Sequence, residues 1–132
     1  MPNSKLTIAV VDDDELIRKS LGRLLRSIGY EVETFASAEA FLESLSDRRP
    51  ACLILDIRMP GVSGLELYLE LVASQELLPI IFVSAHKEEL VRARTDAPNA
   101  MGFLLKPFDS DDLMAAVRAA VNGNEFAKGT PT

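Results

Sequence analysis

Cysteine is almost missing: Cys52 stands alone among 132 residues. A single thiol cannot close an internal disulfide, which fits a reducing compartment and predicts a cytoplasmic protein. Long apolar runs are missing too. Nothing approaches the roughly eighteen consecutive apolar residues of a membrane span. The start, Met1-Pro2-Asn3-Ser4-Lys5, has no apolar stretch before a small-residue cleavage site. Ile8-Ala9-Val10-Val11 is too short for a signal peptide. Positive charge is scarce: 14 Lys and Arg face 20 Asp and Glu, for a net charge of −6. No basic stripe offsets that balance, so the domain is not expected to grip nucleic acid directly. No G-x-x-x-x-G-K-[ST] segment occurs, which excludes a P-loop nucleotide site. There is no internal repeat and no low-complexity stretch.

What is present suits one globular domain. Apolar residues are 48% and charged residues 26% of the chain. At this length about two-thirds of the unfolded surface can be buried, enough for a core without staples.

Short apolar runs alternate with helical patterns. Leu6 to Val11 reads as a buried strand. Ile17, Leu21, Leu24, Leu25 and Ile28 follow at helical spacing, with Gly29 where a helix ends. Glu31 to Phe35 alternates like a second strand. Ser37 can cap a helix with the stripe Ala38, Phe41, Leu42 and Leu45. Asp47-Arg48-Arg49-Pro50 reads as a solvated turn, and Ala51 to Leu55 as a third strand. Ser63 and Glu66 form a capping box that opens a helix carrying Leu65, Tyr68, Leu69 and Val72. Pro79 to Val83 is a fourth strand, His86 to Ala97 a weaker helix, and Gly102 to Leu105 a fifth strand. The last helix carries Leu113, Val117, Ala120 and Val121 and is expected to end at Gly123. Residues 1–123 then form the domain and 124–132 a polar tail. Strands apolar on both faces need helices on both faces, so the sheet should be parallel and doubly wound.

In such sheets ligands bind beyond the carboxyl ends of the strands. Four ends carry chemistry: Asp12-Asp13-Asp14, Asp56, Ser84 and Lys106-Pro107. Two carboxylates about 4 Å apart repel by roughly 4 kcal/mol at an effective dielectric near 20. Such a cluster wants a cation. Hard divalent ions take carboxylates, waters and a phosphate. A lysine ammonium and a serine hydroxyl meet a phosphate's remaining needs. The constellation reads as a Mg²⁺ site beside an oxyanion site. Each piece has a plainer alternative. Asp14 and Glu15 suit a helix N-terminus. Asp56 before a Pro-Gly loop is ordinary turn chemistry. Ser84 could be a cap and Lys106 a solvated surface group. Joint occurrence at one end of four strands favours the site.

These residues resemble the receiver domain of two-component response regulators, over about residues 5 to 122. The matching pieces are Val10-Val11-Asp12-Asp13-Asp14, Leu53-Ile54-Leu55-Asp56-Ile57-Arg58-Met59-Pro60-Gly61 with Ser63-Gly64, Val83-Ser84-Ala85 and Lys106-Pro107-Phe108. The resemblance implies a flavodoxin-like α/β fold, a five-stranded parallel sheet in the order 2-1-3-4-5 with five helices. It makes Asp56 the phosphoacceptor for a phosphohistidine, with slow hydrolysis afterwards. Asp13 would hold Mg²⁺ (or Mn²⁺) directly and Asp12 partly through water, with Asp56 and the backbone carbonyl of Arg58 completing the protein ligands. Ser84 would donate to the phosphoryl group and Lys106 would pair with it. A cis peptide is expected at Lys106-Pro107. Phe103 would be the aromatic switch that follows Ser84; its plain alternative is a core residue. The implied partners are a sensor histidine kinase or histidine phosphotransfer protein, and an effector or output domain at the face of helix four, strand five and helix five. A phosphorylation-dependent dimer is compatible with that face.

The chain departs from the family pattern in places. Ser84 stands for the commoner threonine, and Phe103 lacks the hydroxyl of the tyrosine often found there. Pro98-Asn99-Ala100-Met101 replaces a small, glycine-containing approach to strand five. Arg58 and His86 follow Asp56 and Ser84 by two residues, where the family tunes phosphoryl lifetime; His86 is otherwise a solvated loop residue. Cys52 reads as a small buried hydrophobe. Asp-Asp-Asp-Glu at 12 to 15, Ser-Ala-Glu-Ala-Phe at 37 to 41 and Ser-Ala-His at 84 to 86 are similar to the nitrogen-fixation regulator subgroup. Its members often carry a DNA-binding output unit, so the chain could be the receiver end of a transcriptional regulator. A flavin-binding flavodoxin shares the fold. Three aspartates where its phosphate loop would lie argue against it.

Overall fold

Alternation along the strands decides the architecture. The computed structural model describes residues 6–47 and 49–129. Met1 to Lys5, Arg48 and residues 130–132, on which parts of the N-terminal, turn and tail readings fall, lie outside the described residues.

Five strands, β1 (Thr7–Val11), β2 (Glu31–Phe35), β3 (Cys52–Asp56), β4 (Ile80–Ser84) and β5 (Gly102–Leu105), form one sheet in the order β2-β1-β3-β4-β5. Every pairing is parallel. β3 and β4 are buried along their whole length, as continuous apolar runs in a covered parallel sheet must be. Helices α1 (Glu15–Ser27), α2 (Ala38–Ser44), α3 (Gly64–Ala73), α4 (Lys87–Asp96) and α5 (Ser110–Gly129) supply the cover.

Side chains alternate across the sheet, so each strand feeds two cores. Ile8, Val10, Cys52, Ile54, Ile81 and Val83 pack with Leu21 and Leu25 of α1 and with Leu113 and Val117 of α5. Ala9, Val11, Leu53, Leu55 and Phe82 pack with Phe41 of α2, Leu67 and Leu71 of α3, and Leu90 and Ala93 of α4. The expected doubly wound parallel sheet is therefore the observed one.

The caps follow the sequence closely. Asp14 accepts from the backbone N–H groups of Leu16 (2.9 Å) and Ile17 (3.4 Å), so it serves α1. Ser37 accepts from Ala40 N–H at 3.1 Å. Ser63 and Glu66 complete the capping box, at 3.1 and 2.8 Å. Each such cap contributes about 1 kcal/mol. Gly29, after α1, has φ of 107°, a backbone state that glycine adopts without a Cβ penalty. α4 begins at His86 with no side-chain cap.

Three readings need correction. Half of the stripe expected on α3 is the buried one: Tyr68 is in the core and Leu65 packs against it, but Leu69 and Val72 lie outside it. Leu69 is 55% and Val72 41% exposed, while Gly64, Leu67, Tyr68 and Leu71 face the core. The helix carries leucines around most of its circumference, so periodicity offered two stripes. The close seat of Gly64 against β3 selects the second. α5 also does not stop at Gly123 but continues through Gly129. An interior glycine costs a helix about 1 kcal/mol and does not by itself end it. Finally, Pro50 is buried, so the turn before β3 is not solvated throughout.

Candidate functional site

The carboxyl ends of β1, β3, β4 and β5 meet at one rim. The ladder between β1 and β2 runs one residue beyond the strands: Asp12 N–H donates to Phe35 carbonyl oxygen at 3.1 Å. This fixes Asp12 at the top of β1, almost wholly buried. Its Oδ1 accepts from Asp14 N–H at 2.9 Å, and its carbonyl accepts from Arg18 Nη1 at 2.8 Å. Asp13, next along, is exposed. Asp56 ends β3 and is buried.

Asp12, Asp13 and Asp56 bring one carboxylate oxygen each to within 4.8 Å of one another. Lys106 reaches them from beyond β5. Its Nζ is 2.9 Å from Asp12 Oδ2 and 3.4 Å from Asp56 Oδ1. Lys106 N–H donates to Ser84 carbonyl oxygen at 2.8 Å, and the Lys106-Pro107 peptide is cis, as expected.

The charges do not balance within this pocket. Three carboxylates face a single ammonium. Burial, reinforced by the Asp12 charge and more weakly by Asp13, pushes the Asp56 carboxyl up to about 6, against the pull of Lys106. Burial works to lower the Lys106 pKa, but Asp12 and Asp56 outweigh it and hold the ammonium above its ordinary range. The remaining negative charge, carried entirely on oxygen, fits a hard divalent cation of the Mg²⁺ type. Manganese accepts the same ligands. No sulfur or imidazole takes part in this cluster.

Ser84 ends β4 on the same rim and is 1% exposed. Its hydroxyl is engaged on the side of α4. Ser84 Oγ is 2.6 Å from Glu89 Oε1 and accepts from His86 N–H at 2.9 Å. The other Glu89 oxygen receives Nε and Nη2 of Arg58, each at 2.7 Å. Burial tends to raise the Glu89 pKa, but the bonds from Ser84 and Arg58 prevail and hold it below its usual value. The Arg58 side chain thus turns toward α4. The His86 side chain is exposed.

Phe103 is half-buried. It stacks on Phe82 at 6.0 Å with an interplanar angle of 19°, and the Arg94 guanidinium carbon lies 4.7 Å from its ring centroid. It therefore sits between β4, β5 and α4, with one flank on the core and the other under a cation.

Two contributors were not singled out from the sequence. Glu89 lies in the first turn of α4, where the macrodipole favours any acidic residue, so nothing in the sequence set it apart. Its role at Ser84 emerges only when α4 is placed. Gly64 read as part of a motif. A Cβ there would meet the Asp56 carbonyl oxygen and lie 2.9 Å from Ile57 Cα. Its N–H donates to Ile57 carbonyl oxygen at 2.8 Å. Only glycine lets α3 begin against the strand end that carries Asp56.

The profile of the family described as response regulator receiver domain matches residues 8–118. The response regulator protein TmoT of Ectopseudomonas mendocina is 40% identical over 121 residues, which are 92% of this chain and 55% of that protein. Among solved structures, the response regulator StyR is 44% identical with a TM-score of 0.82, covering 95% of this chain and 63% of that one. The response regulator protein TrrA of Thermotoga maritima, solved in complex with Mg(2+)-BeF, is 32% identical with a TM-score of 0.78, covering 89% of this chain and 99% of that one. The chain spans about half the length of the curated relatives it matches. Among the described residues no helix is long and apolar enough to cross a membrane.

Proposed function

This chain belongs to the response regulator receiver domain family, and on that premise we propose that Asp56 is the phosphoacceptor of a two-component switch. The observation that supports this best is the pocket of Asp12, Asp13 and Asp56, with oxygens within 4.8 Å, under the Lys106 ammonium. An Asp56 carboxylate oxygen attacks the phosphorus of a phosphohistidine on a histidine kinase or phosphotransfer protein. A P–O bond forms, the P–N bond breaks, and the electron pair remains on the imidazole nitrogen. The carboxylate is mostly ionised at neutral pH, since its pKa is about 6, so no general base is needed.

Asp12, Asp13, Asp56 and the backbone carbonyl of Arg58 would hold Mg²⁺ or Mn²⁺. The bound ion supplies neutralisation of charge on the transferring oxygens. Lys106 pairs with the phosphoryl group and Ser84 donates to it. Movement of Ser84 frees space for the Phe103 ring, a local charge event read by a two-state element. The output is a changed face of α4, β5 and α5, offered to an effector. We take residues 1–123 as the receiver unit, with α5 running on past that boundary, and its setting as cytoplasmic.

The test is incubation with acetyl phosphate and Mg²⁺, followed by mass spectrometry. The expected result is a single phosphoryl adduct, labile to hydroxylamine and absent in Asp56→Asn. An acid-stable, hydroxylamine-resistant adduct that survives Asp56→Asn would sink the reading.

A second reading concerns the whole protein. Relatives over the same span include proteins named as transcriptional regulators, such as TdiR of Thauera aromatica, of which the match covers 51%. That favours a role as the receiver portion of a DNA-binding regulator. Reading the native gene past the codon for Thr132 tests it: an in-frame helix-turn-helix supports it, and a stop codon there refutes it.

A further inference from the structure

Ser84 has a single hydroxyl proton, and the geometry around it allows one strong use. Glu89 Oε1 lies 2.6 Å away, whereas His86 carbonyl oxygen is at 3.3 Å. The shorter contact is also the charge-assisted one, so the proton points at Glu89. A lone pair of the same oxygen is taken by His86 N–H at 2.9 Å. The hydroxyl cannot donate to Glu89 and to a phosphoryl oxygen together. Glu89 is itself anchored: Arg58, two residues beyond Asp56, donates Nε and Nη2 to Glu89 Oε2, each at 2.7 Å. Two charge-assisted bonds on Oε2 hold that end of the carboxylate and leave Oε1 to Ser84.

We propose that Glu89 is a positioning residue for phosphoryl capture: held by Arg58, it retains the Ser84 hydroxyl in the unphosphorylated protein and competes with the phosphoryl group for it. The inference rests on the reading of Asp56 as phosphoacceptor and adds to it. The Arg58–Glu89–Ser84 chain ties the loop after β3 to the first turn of α4. α4 lacks a side-chain cap at His86, so this tie is a main polar anchor of its N-terminal end. Exchange of the Ser84 hydrogen bond from Glu89 to a phosphoryl oxygen therefore releases the first turn of α4 from the end of β4, while Arg58 still holds Glu89, in the same event that marks Asp56. Receiver and α4 are coupled because one proton cannot serve two acceptors.

The test is titration of metal-free protein with Mg²⁺ and beryllofluoride by calorimetry. The proteins are the wild type, Glu89→Ala and Glu89→Gln, each with Ser84 intact and with Ser84→Ala. Loss of a competing charge-assisted bond predicts about tenfold tighter beryllofluoride binding in Glu89→Ala when Ser84 is intact. The gain falls below about twofold in the Ser84→Ala background. Glu89→Gln, which keeps the shape and loses the charge, gives a smaller gain in the same direction. A general electrostatic effect of removing the carboxylate, or of freeing Arg58, tightens binding equally in both backgrounds and overturns the proposal. Amide resonances of Ser84 and His86 provide a readout without metal. In metal-free Glu89→Ala they shift toward the positions that the wild type takes with beryllofluoride; unshifted resonances overturn the proposal. A wild type that binds while Glu89→Ala leaves affinity unchanged refutes only the role of Glu89. A wild type that binds no beryllofluoride refutes the phosphoacceptor reading, and this one with it.

Discussion

Lys106 Nζ lies closer to Asp12 Oδ2, at 2.9 Å, than to Asp56 Oδ1, at 3.4 Å. The only ammonium in contact with the buried carboxylates, among the described residues, is therefore held mainly by Asp12. Asp56 keeps much of its burial penalty, which is why its carboxyl is raised while Lys106 is stabilised in the charged form.

Replacement of Lys106 by alanine should leave two buried carboxylates without a counter-charge. Breaking a pair of this kind costs roughly 3 kcal/mol when both partners are buried, and less here because the Lys106 side chain is 18% exposed. We expect a loss on the order of 1 to 3 kcal/mol at pH 7 in chelator. The loss should shrink at pH 5, where Asp56 is largely protonated. Urea denaturation at both pH values checks this.

Asp56 also sets a pH slope. Its folded pKa, about 6, stands above its ordinary 3.8. Between those values the folded state binds more protons than the unfolded state, so stability falls as pH rises. Above about pH 6 the full penalty is present, on the order of 3 kcal/mol. Asp56→Asn should remove this slope and stabilise the metal-free protein at pH 7. Glu89, held low, acts with the opposite sign: its contribution is present above its ordinary 4.5 and is lost as pH falls below it. Urea midpoints from pH 3 to 8 separate the two windows.

A divalent cation should reverse the penalty that Asp56 imposes. At ten times its dissociation constant, Mg²⁺ stabilises by about 1.4 kcal/mol. The increment should be present at pH 7 and nearly absent at pH 4.5, since ligation needs ionised carboxylates. Thermal melts with Mg²⁺ and with chelator measure it. An equal increment at both pH values contradicts the assigned ligands.

Gly64→Ala should disturb the site from behind. The added methyl would lie 2.9 Å from Ile57 Cα and meet the Asp56 carbonyl, both backbone atoms that cannot step aside. We expect destabilisation of about 2 kcal/mol or more, and Mg²⁺ affinity weakened as the end of β3 moves. Ser63→Ala, one residue away, should cost about 1 kcal/mol through the lost cap and leave Mg²⁺ affinity nearly unchanged. Calorimetric titration of the two variants separates a packing effect on Asp56 from a general weakening of α3.

Much of this protein is written locally. β-branched runs such as Ile8 to Val11 and Ile80 to Val83 mark the strands, and Ser37 and the Ser63–Glu66 pair mark helix starts. Because those strands are apolar on both faces, a covered parallel sheet follows, and with it the rim that gathers Asp12, Asp13, Asp56, Ser84 and Lys106. Period and capping are short-range properties, so the residues alone determine them. Three matters needed the assembled chain. Leucine surrounds most of α3, so only the seat of Gly64 on β3 chose Leu67 and Leu71 over Leu69 and Val72 for the core. The choice of Lys106 between two carboxylates depends on distances of a few tenths of an ångström. The acceptor of the Ser84 proton depends on how α4 approaches the loop after β3. Hydroxyl and ammonium groups take whichever partner the packing brings nearest, and no spacing along a chain records that.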